Sequence, residues 1–199
     1  MKNEKFVTML QVCAIVFAIV TVSPSIALAQ GAHSQMMSMH QDMDHQSNSS
    51  ALINVVRDAT ARFQDVSVAK AEGYSLLFGC VSGPDEGAMG MHFVNAEILN
   101  SGIIDPRHPQ ILLYEPQPNG RLKLTGADFL VFASSWDAAH PNDPPQIMGQ
   151  LFQFFDAPNR FGLPPFYTLH VWAWKSNPNG SFVNWNPKVT CEAFNGQGQ

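Results

Sequence analysis

The stretch QILLYEPQPNGRLKLTGADFLVFAS, residues 110–134, decides the fold. Its apolar-rich runs, Gln110 to Glu115 and Arg121 to Ser134, flank Pro116-Gln117-Pro118-Asn119-Gly120, where proline, asparagine and glycine supply the backbone angles of a tight reversal. So short a connection leaves no room for a crossover, which predicts two antiparallel neighbours in one sheet. Working outward, Met89 to Asn95, Gln150 to Phe155 and Phe166 to Trp174 read as further strands, and Tyr74, Leu76 and Phe78 alternate with smaller residues as a strand would. Ser82 to Gly87 reads as a long turn, Asn95 to Asn100 as a short helix, and Asn177-Pro178-Asn179-Gly180 repeats the hairpin chemistry late in the chain.

Ahead of the strands the period changes. From Ala51, the positions Leu52, Val56, Phe63, Val66 and Ala69 approximate helical spacing, with Ser49 or Ser50 as N-cap and Gly73 as terminator. Two short helices or one bent helix satisfy the pattern equally. Helices first and strands after them predict an α+β fold: an N-terminal helical segment packed on a curved, mainly antiparallel, barrel-like sheet, forming a single domain over residues 51–199.

Residues 1–29 read as a signal peptide. Lys2 and Lys5 precede the apolar run Phe6 to Val22, and Ala27-Leu28-Ala29 offers small residues for cleavage after Ala29. Gln11, Thr21, Ser23, Pro24 and Ser25 shorten the apolar stretch below a comfortable membrane span, so no stable span is expected after processing. Removal of Lys2, Lys5 and Glu4 takes the counts from 11 Lys+Arg and 16 Asp+Glu to 9 and 15, a net charge of −6. With no basic run to neutralise phosphates, nucleic acid is excluded as a partner, and the expected location is secreted or periplasmic.

Residues 30–50 are polar and aperiodic, a flexible leader, yet His33 to His45 concentrates Met36, Met37, Met39, Met43, His33, His40 and His45. From nine Met and seven His in 199 residues, about one would be expected in such a window. Thioether sulfur and imidazole nitrogen suit copper and silver ions outside the reducing cytoplasm. Met36, Met39, His40, Met43 and His45 are therefore candidate ligands, with copper as the expected metal. Spacings of three and four place Met36, Met39, His40 and Met43 on one face of a helix.

Two cysteines survive processing, Cys80 and Cys191, and an oxidising compartment predicts their pairing across about 110 residues. A thiolate nucleophile or metal ligand is the competing reading. The stretches Met89-Gly90-Met91-His92-Phe93-Val94-Asn95 and Leu169-His170-Val171-Trp172-Ala173-Trp174, with Trp185-Asn186-Pro187 and Cys191, resemble a family of secreted bacterial single-domain proteins without an assigned activity. The resemblance spans roughly residues 50–194, implies secretion and one domain, and assigns no functional residue.

Strand parity singles out His92, on the face of Gly90 and Val94, and His170, on the face of Thr168, Trp172 and Trp174. Were they to meet with one of Glu115, Glu97 or Asp128, two imidazoles and a carboxylate would bind a divalent metal and leave positions open. Glu115, ending a strand whose same-face neighbours are Ile111 and Leu113, is the acid placed with the two histidines as a metal ligand. Core histidines that merely donate hydrogen bonds are the plain alternative. Asp137 and His140 read as a solvated turn, His108 likewise, and Phe166, Tyr167, Trp172, Trp174 and Trp185 as core packing or a ligand cavity. The sequence thus supports a secreted metal-binding, copper- or silver-handling protein whose domain holds a second pocket. Its rival is a secreted enzyme or small-ligand-binding domain using the two histidines.

Overall fold

The computed structural model describes residues 35, 37–39 and 49–196. The chain divides into two units, Met1–Gln41 and Asp42–Gln199. In the first, the described residues are helical, and Met37 and Met39 are exposed. The signal peptide and most leader ligands lie outside the described residues. Among the described residues no helix is long and apolar enough to cross a membrane.

The second unit opens with helix α1 (residues 49–60), a 3-10 turn (Ala61–Gln64) and α2 (Val66–Ala71). Asp65 caps α2 by accepting from Ser67 N, and Gly73, at φ +92°, turns the chain into the sheet. The strands are β1 (Tyr74–Ser82), β2 (Ala88–Asn95), β3 (Ile111–Pro116), β4 (Leu122–Phe132), β5 (Gln146–Ile147), β6 (Gln150–Leu151), β7 (Gln153–Phe155) and β8 (Phe166–Val171). Between them lie α3 (Ala96–Ser101) and α4 (Ala133–Ala139). Six strands form one antiparallel sheet in the order β1-β2-β3-β4-β8-β7, and β5 pairs with β6 apart. The decisive hairpin forms as its turn residues dictate, with Pro116 opposite Leu122.

The fold is α+β, with three departures from the sequence expectation. The sheet does not close into a barrel: its edges are β1 and the three-residue β7, too short to pair along nine-residue β1. Helix is not confined to the N-terminus, since α3 and α4 interrupt the strands. In α4 the segment read as a strand end and turn coils instead, stopping at His140 ahead of Pro141. The run Gln150 to Phe155 serves two sheets, its first half pairing with β5 and its second with β8.

Helices cover one face. Leu52 and Val56 of α1 pack with Ala127, Phe129, Leu169 and Val171, while Phe63 and Ala69 pack with Met91, Phe93, Leu112 and Tyr114. Arg57 Nε donates to Ala173 O at 2.8 Å and Trp174 Nε1 to Thr60 Oγ1 at 2.9 Å, fastening α1 to the chain beyond β8. The opposite face carries Val94, Ile111, Leu113, Leu130 and Phe166 and is covered by irregular segments that supply Phe161, Leu163, Val189 and Cys191. Cys191 is disulfide-bonded to Cys80 across 111 residues.

Two glycines shape that second face. A Cβ on Gly126 would stand 2.2 Å from Val171 O, so only glycine lets the chain after Val171 fold over β4, and the strand read as far as Trp174 ends there. Gly90, at φ +92°, sits where a Cβ would come within 2.5 Å of Tyr114 O. Gly90→Ala therefore combines a disfavoured backbone region with a backbone clash and is expected to cost at least about 2 kcal/mol. Urea unfolding measures it; a variant as stable as the wild type would contradict this geometry.

Candidate metal centre

The register of four strands assembles the site. On β4 and β8, Asp128 stands directly opposite His170 and Leu130 opposite Thr168. His92 lies on β2, and β3 and β4 separate it from β8. In a flat sheet three strand spacings would hold the two histidines about 14 Å apart. Their ring centroids are 5.9 Å apart, so the sheet curls toward this face and converges its side chains. One ligand atom from each of His92, Asp128 and His170 lies within 4.8 Å of the others. All three residues are buried, at 4%, 3% and 3% exposure, which removes solvent as their partner.

Hydrogen bonding fixes one tautomer. His92 Nδ1 lies 3.1 Å from Gly90 O; a carbonyl only accepts, so Nδ1 carries the proton and Nε2 keeps its lone pair. That is how a metal-binding imidazole is held in place by a backbone partner. Asp128 Oδ1 accepts from Thr168 Oγ1 at 2.5 Å. His170 Nδ1 stands 3.5 Å from Asp128 Oδ1, and among the described residues neither of its ring nitrogens has a hydrogen bond. Asn184 lines the same cavity and, as a hydrogen-bonding group beside the ring, favours protonated His170, although its Oδ1 makes no well-formed hydrogen bond among the described residues. Asn184 Nδ2 donates to Gln153 Oε1 at 2.9 Å, which sets the amide with its oxygen left over.

Electrostatics point the same way. Burial lowers His92 to about 4, with His170 beside it adding to the effect and Asp128 opposing it, and burial lowers His170 to about 3. Burial raises Asp128 to about 6 against the hydrogen bond from Thr168. Burial thus disfavours charge on all three groups: the imidazoles are held neutral with free lone pairs, and an ionised Asp128 would lack a countercharge within the cluster. A buried anion without a countercharge is costly even with its hydrogen bond from Thr168, and a cation bound by all three groups relieves it. Two imidazole nitrogens and one carboxylate oxygen suit zinc and other divalent first-row ions, with positions left open.

These shifts predict how the metal-free protein responds to acid. Both folded histidines lie below their ordinary 6.5, so as pH falls from there the unfolded chain takes up two protons that the folded protein refuses. Folded Asp128 lies above its ordinary 3.8 and takes up one proton, returning part of the loss. The net difference is about one proton, so the cluster's contribution to stability falls by roughly 1 kcal/mol per pH unit between roughly pH 6 and pH 4.5. Urea melts of metal-free wild type and His92→Gln/His170→Gln measure it. Equal pH slopes in the two proteins would contradict these environments.

Other sequence candidates go elsewhere. Glu115 does not join the histidines, which corrects that expectation: it shares the face of Ile111, but four residues along β3 carry it roughly 13 Å away. There it meets Lys175 Nζ at 2.7 and 2.6 Å and Thr190 N at 3.1 Å, a buried pair anchoring the C-terminal segment. Glu97 is exposed in the first turn of α3. Asp137 Oδ1 accepts from Tyr167 Oη at 3.0 Å while the His140 ring stacks on Trp136, both at the exposed surface. His108 pairs with Asp105 at the surface. Trp172 Nε1 donates to Val183 O, a packing role. Of the leader ligands, Met39 is described, helical and exposed; Met36, His40, Met43 and His45 lie outside the described residues.

Sequence reasoning missed Asn184 and the aromatic residues Phe78 and Phe161 that close the cavity above the cluster. Asn184 follows an irregular path with no period to read. No family model, no curated protein and no solved structure matches this chain, so what the centre can do rests on its own geometry.

Proposed function

We propose that this is an exported metal-binding protein whose folded unit holds one divalent transition-metal ion through His92, Asp128 and His170. The observation that carries the reading is His170: both its nitrogens are buried without a hydrogen bond among the described residues, beside a buried carboxylate. One cation bridging the cluster supplies a partner to His170 and a countercharge to Asp128. Export rests on the signal-like residues 1–29, on the resemblance to secreted bacterial domains, and on a disulfide of the kind oxidising compartments permit.

In the same reading the leader is a separate, softer site in which Met36, Met39, Met43 and His40 or His45 bind Cu(I) or Ag(I). Deleting residues 30–48 tests the division of labour. The shortened protein is expected to keep one equivalent of Zn(II) and to lose most Cu(I) binding. Unchanged Cu(I) stoichiometry would remove the leader from the account, and loss of Zn(II) would remove the buried centre.

An enzyme or small-ligand domain is the second reading, favoured by one specific feature. Three protein ligands leave coordination positions open, as catalytic rather than structural sites do, and they face a cavity.

A further inference from the structure

The space in front of the three ligands has its own chemistry. It gives room to one or two water-sized groups, about 30 Å³, inside a void of about 350 Å³ that includes open solvent. Four phenylalanines wall it. Phe78 and Phe161 have ring centroids 5.6 Å apart, Phe161 and Phe166 6.3 Å, and Phe155 and Phe166 5.2 Å, a continuous aromatic belt. The belt is half-buried at Phe78, Phe155 and Phe161, while the polar cluster beneath it is fully enclosed. An apolar collar leading to a polar floor is the build of a small-molecule site.

The floor specifies the ligand's polar end. Beside the three candidate metal ligands, the lining offers the acceptor Asn184 Oδ1, which has no hydrogen bond among the described residues, while Asn184 Nδ2 commits one of its two hydrogens to Gln153 Oε1. A hydroxyl satisfies both demands: its oxygen completes the metal's coordination and its hydrogen is given to Asn184 Oδ1. A carboxylate meets the first demand and fails the second, having no hydrogen to give. The mouth, in turn, sets the body, since its edge-on and stacked rings match a flat aromatic group and so small a space favours a single ring over anything larger.

Phe161 rides on a turn organised by its own residues. Asn159 Oδ1 accepts from Phe161 N and Leu163 N, and Asn159 Nδ2 donates to Leu163 O. Arg160 Nη2 to Ser82 O, 3.0 Å, ties this turn to the end of β1.

We propose that the cavity binds a single-ring aromatic alcohol or phenol, oxygen toward the metal and ring within the phenylalanine belt. The proposal rests on the metal reading above, and the test separates the two. Full-length protein is loaded with Co(II), whose visible absorption reports coordination, and titrated with phenol, with toluene and acetate as probes of ring and oxygen alone. Phenol is expected to change the Co(II) spectrum saturably with a Kd of about 1 mM or tighter, and acetate and toluene to do so at least tenfold more weakly. Phe161→Ala is expected to weaken phenol about tenfold by removing one aromatic wall. Stoichiometric Co(II) with no phenol-dependent change up to the solubility limit overturns the ligand assignment and leaves the metal reading standing. Equal phenol affinity in wild type and Phe161→Ala overturns the belt as the binding surface. Failure to bind Co(II) at all overturns both.

Discussion

Replacing His170 with alanine is expected to lower the Zn(II) affinity of the protein by more than about 100-fold, because even the outer partners of metal-bound histidines contribute 10- to 100-fold. The reason lies in the cluster's charge. Asp128 is buried, where its anion has no countercharge of its own, and burial holds the neighbouring imidazoles neutral with lone pairs to offer. Without His170 a bound ion keeps one imidazole and one carboxylate, a set common on protein surfaces. His170→Asn offers a comparison in which a polar side chain is retained but the imidazole ligand is lost, and it is expected to bind nearly as poorly as the alanine variant. Competition titration against a chromophoric chelator measures all three proteins. Metal binding also couples to folding: saturation at 100 times Kd adds about 2.7 kcal/mol of stability to the wild type, an increment that His170→Ala forfeits at the same metal concentration. A variant that binds Zn(II) as the wild type does would place the metal elsewhere.

The largest loss of stability is expected from the disulfide. Cys80 lies in β1 and Cys191 in the C-terminal segment, so the bond closes a loop of 111 residues. In the chain-entropy account such a loop restricts the unfolded chain by about 4–5 kcal/mol, relief that Cys80→Ala/Cys191→Ala gives up. The segment that Cys191 holds down is also the one that covers the metal-bearing face. Val189 packs against Ile111 and Leu113, and Thr190 N donates to Glu115. Losing the bond is therefore expected to loosen that cover and raise amide exchange from Trp185 onward. Guanidinium unfolding of the oxidised protein and the double variant decides it; a difference below about 1 kcal/mol would contradict the chain-entropy account.

Much of the fold was legible where local chemistry settles pairing. Residues 110–134 carry apolar-rich runs on either side of a Pro/Asn/Gly turn, and the hairpin formed there. The Asn95 helix start was legible because an asparagine side chain can accept from the next turn's amides, and Asn95 Oδ1 accepts from Glu97 N and Ile98 N. What failed depended on distant partners. Gln150 to Phe155 looked like one strand because nothing local says that Leu151 answers Gln146 while Gln153 answers Thr168. The barrel expectation failed for a related reason: closure depends on how the edge strands match, and β7 proved too short.

The site divides along the same line. His92 and His170 were legible as inward-facing because parity along a strand is a local property. The choice among Glu115, Glu97 and Asp128 was not, since it depends on register across strands; placing Asp128 opposite His170 and Glu115 opposite Lys123 separates two acids that look alike in sequence. Curvature was equally invisible. Residues three strands apart meet here only because the sheet curls, with Gly126 admitting Val171 O where any side chain would stand.

X-ray absorption at the zinc edge of protein lacking residues 30–48, loaded with one equivalent of Zn(II), tests the central claim most directly, because it reads ligand type with the leader absent. The account predicts two imidazoles and at least one oxygen at about 2.0–2.2 Å, and loss of the imidazole signal in His92→Ala/His170→Ala. A first coordination sphere with no imidazole, or one unchanged by that double substitution, would contradict it.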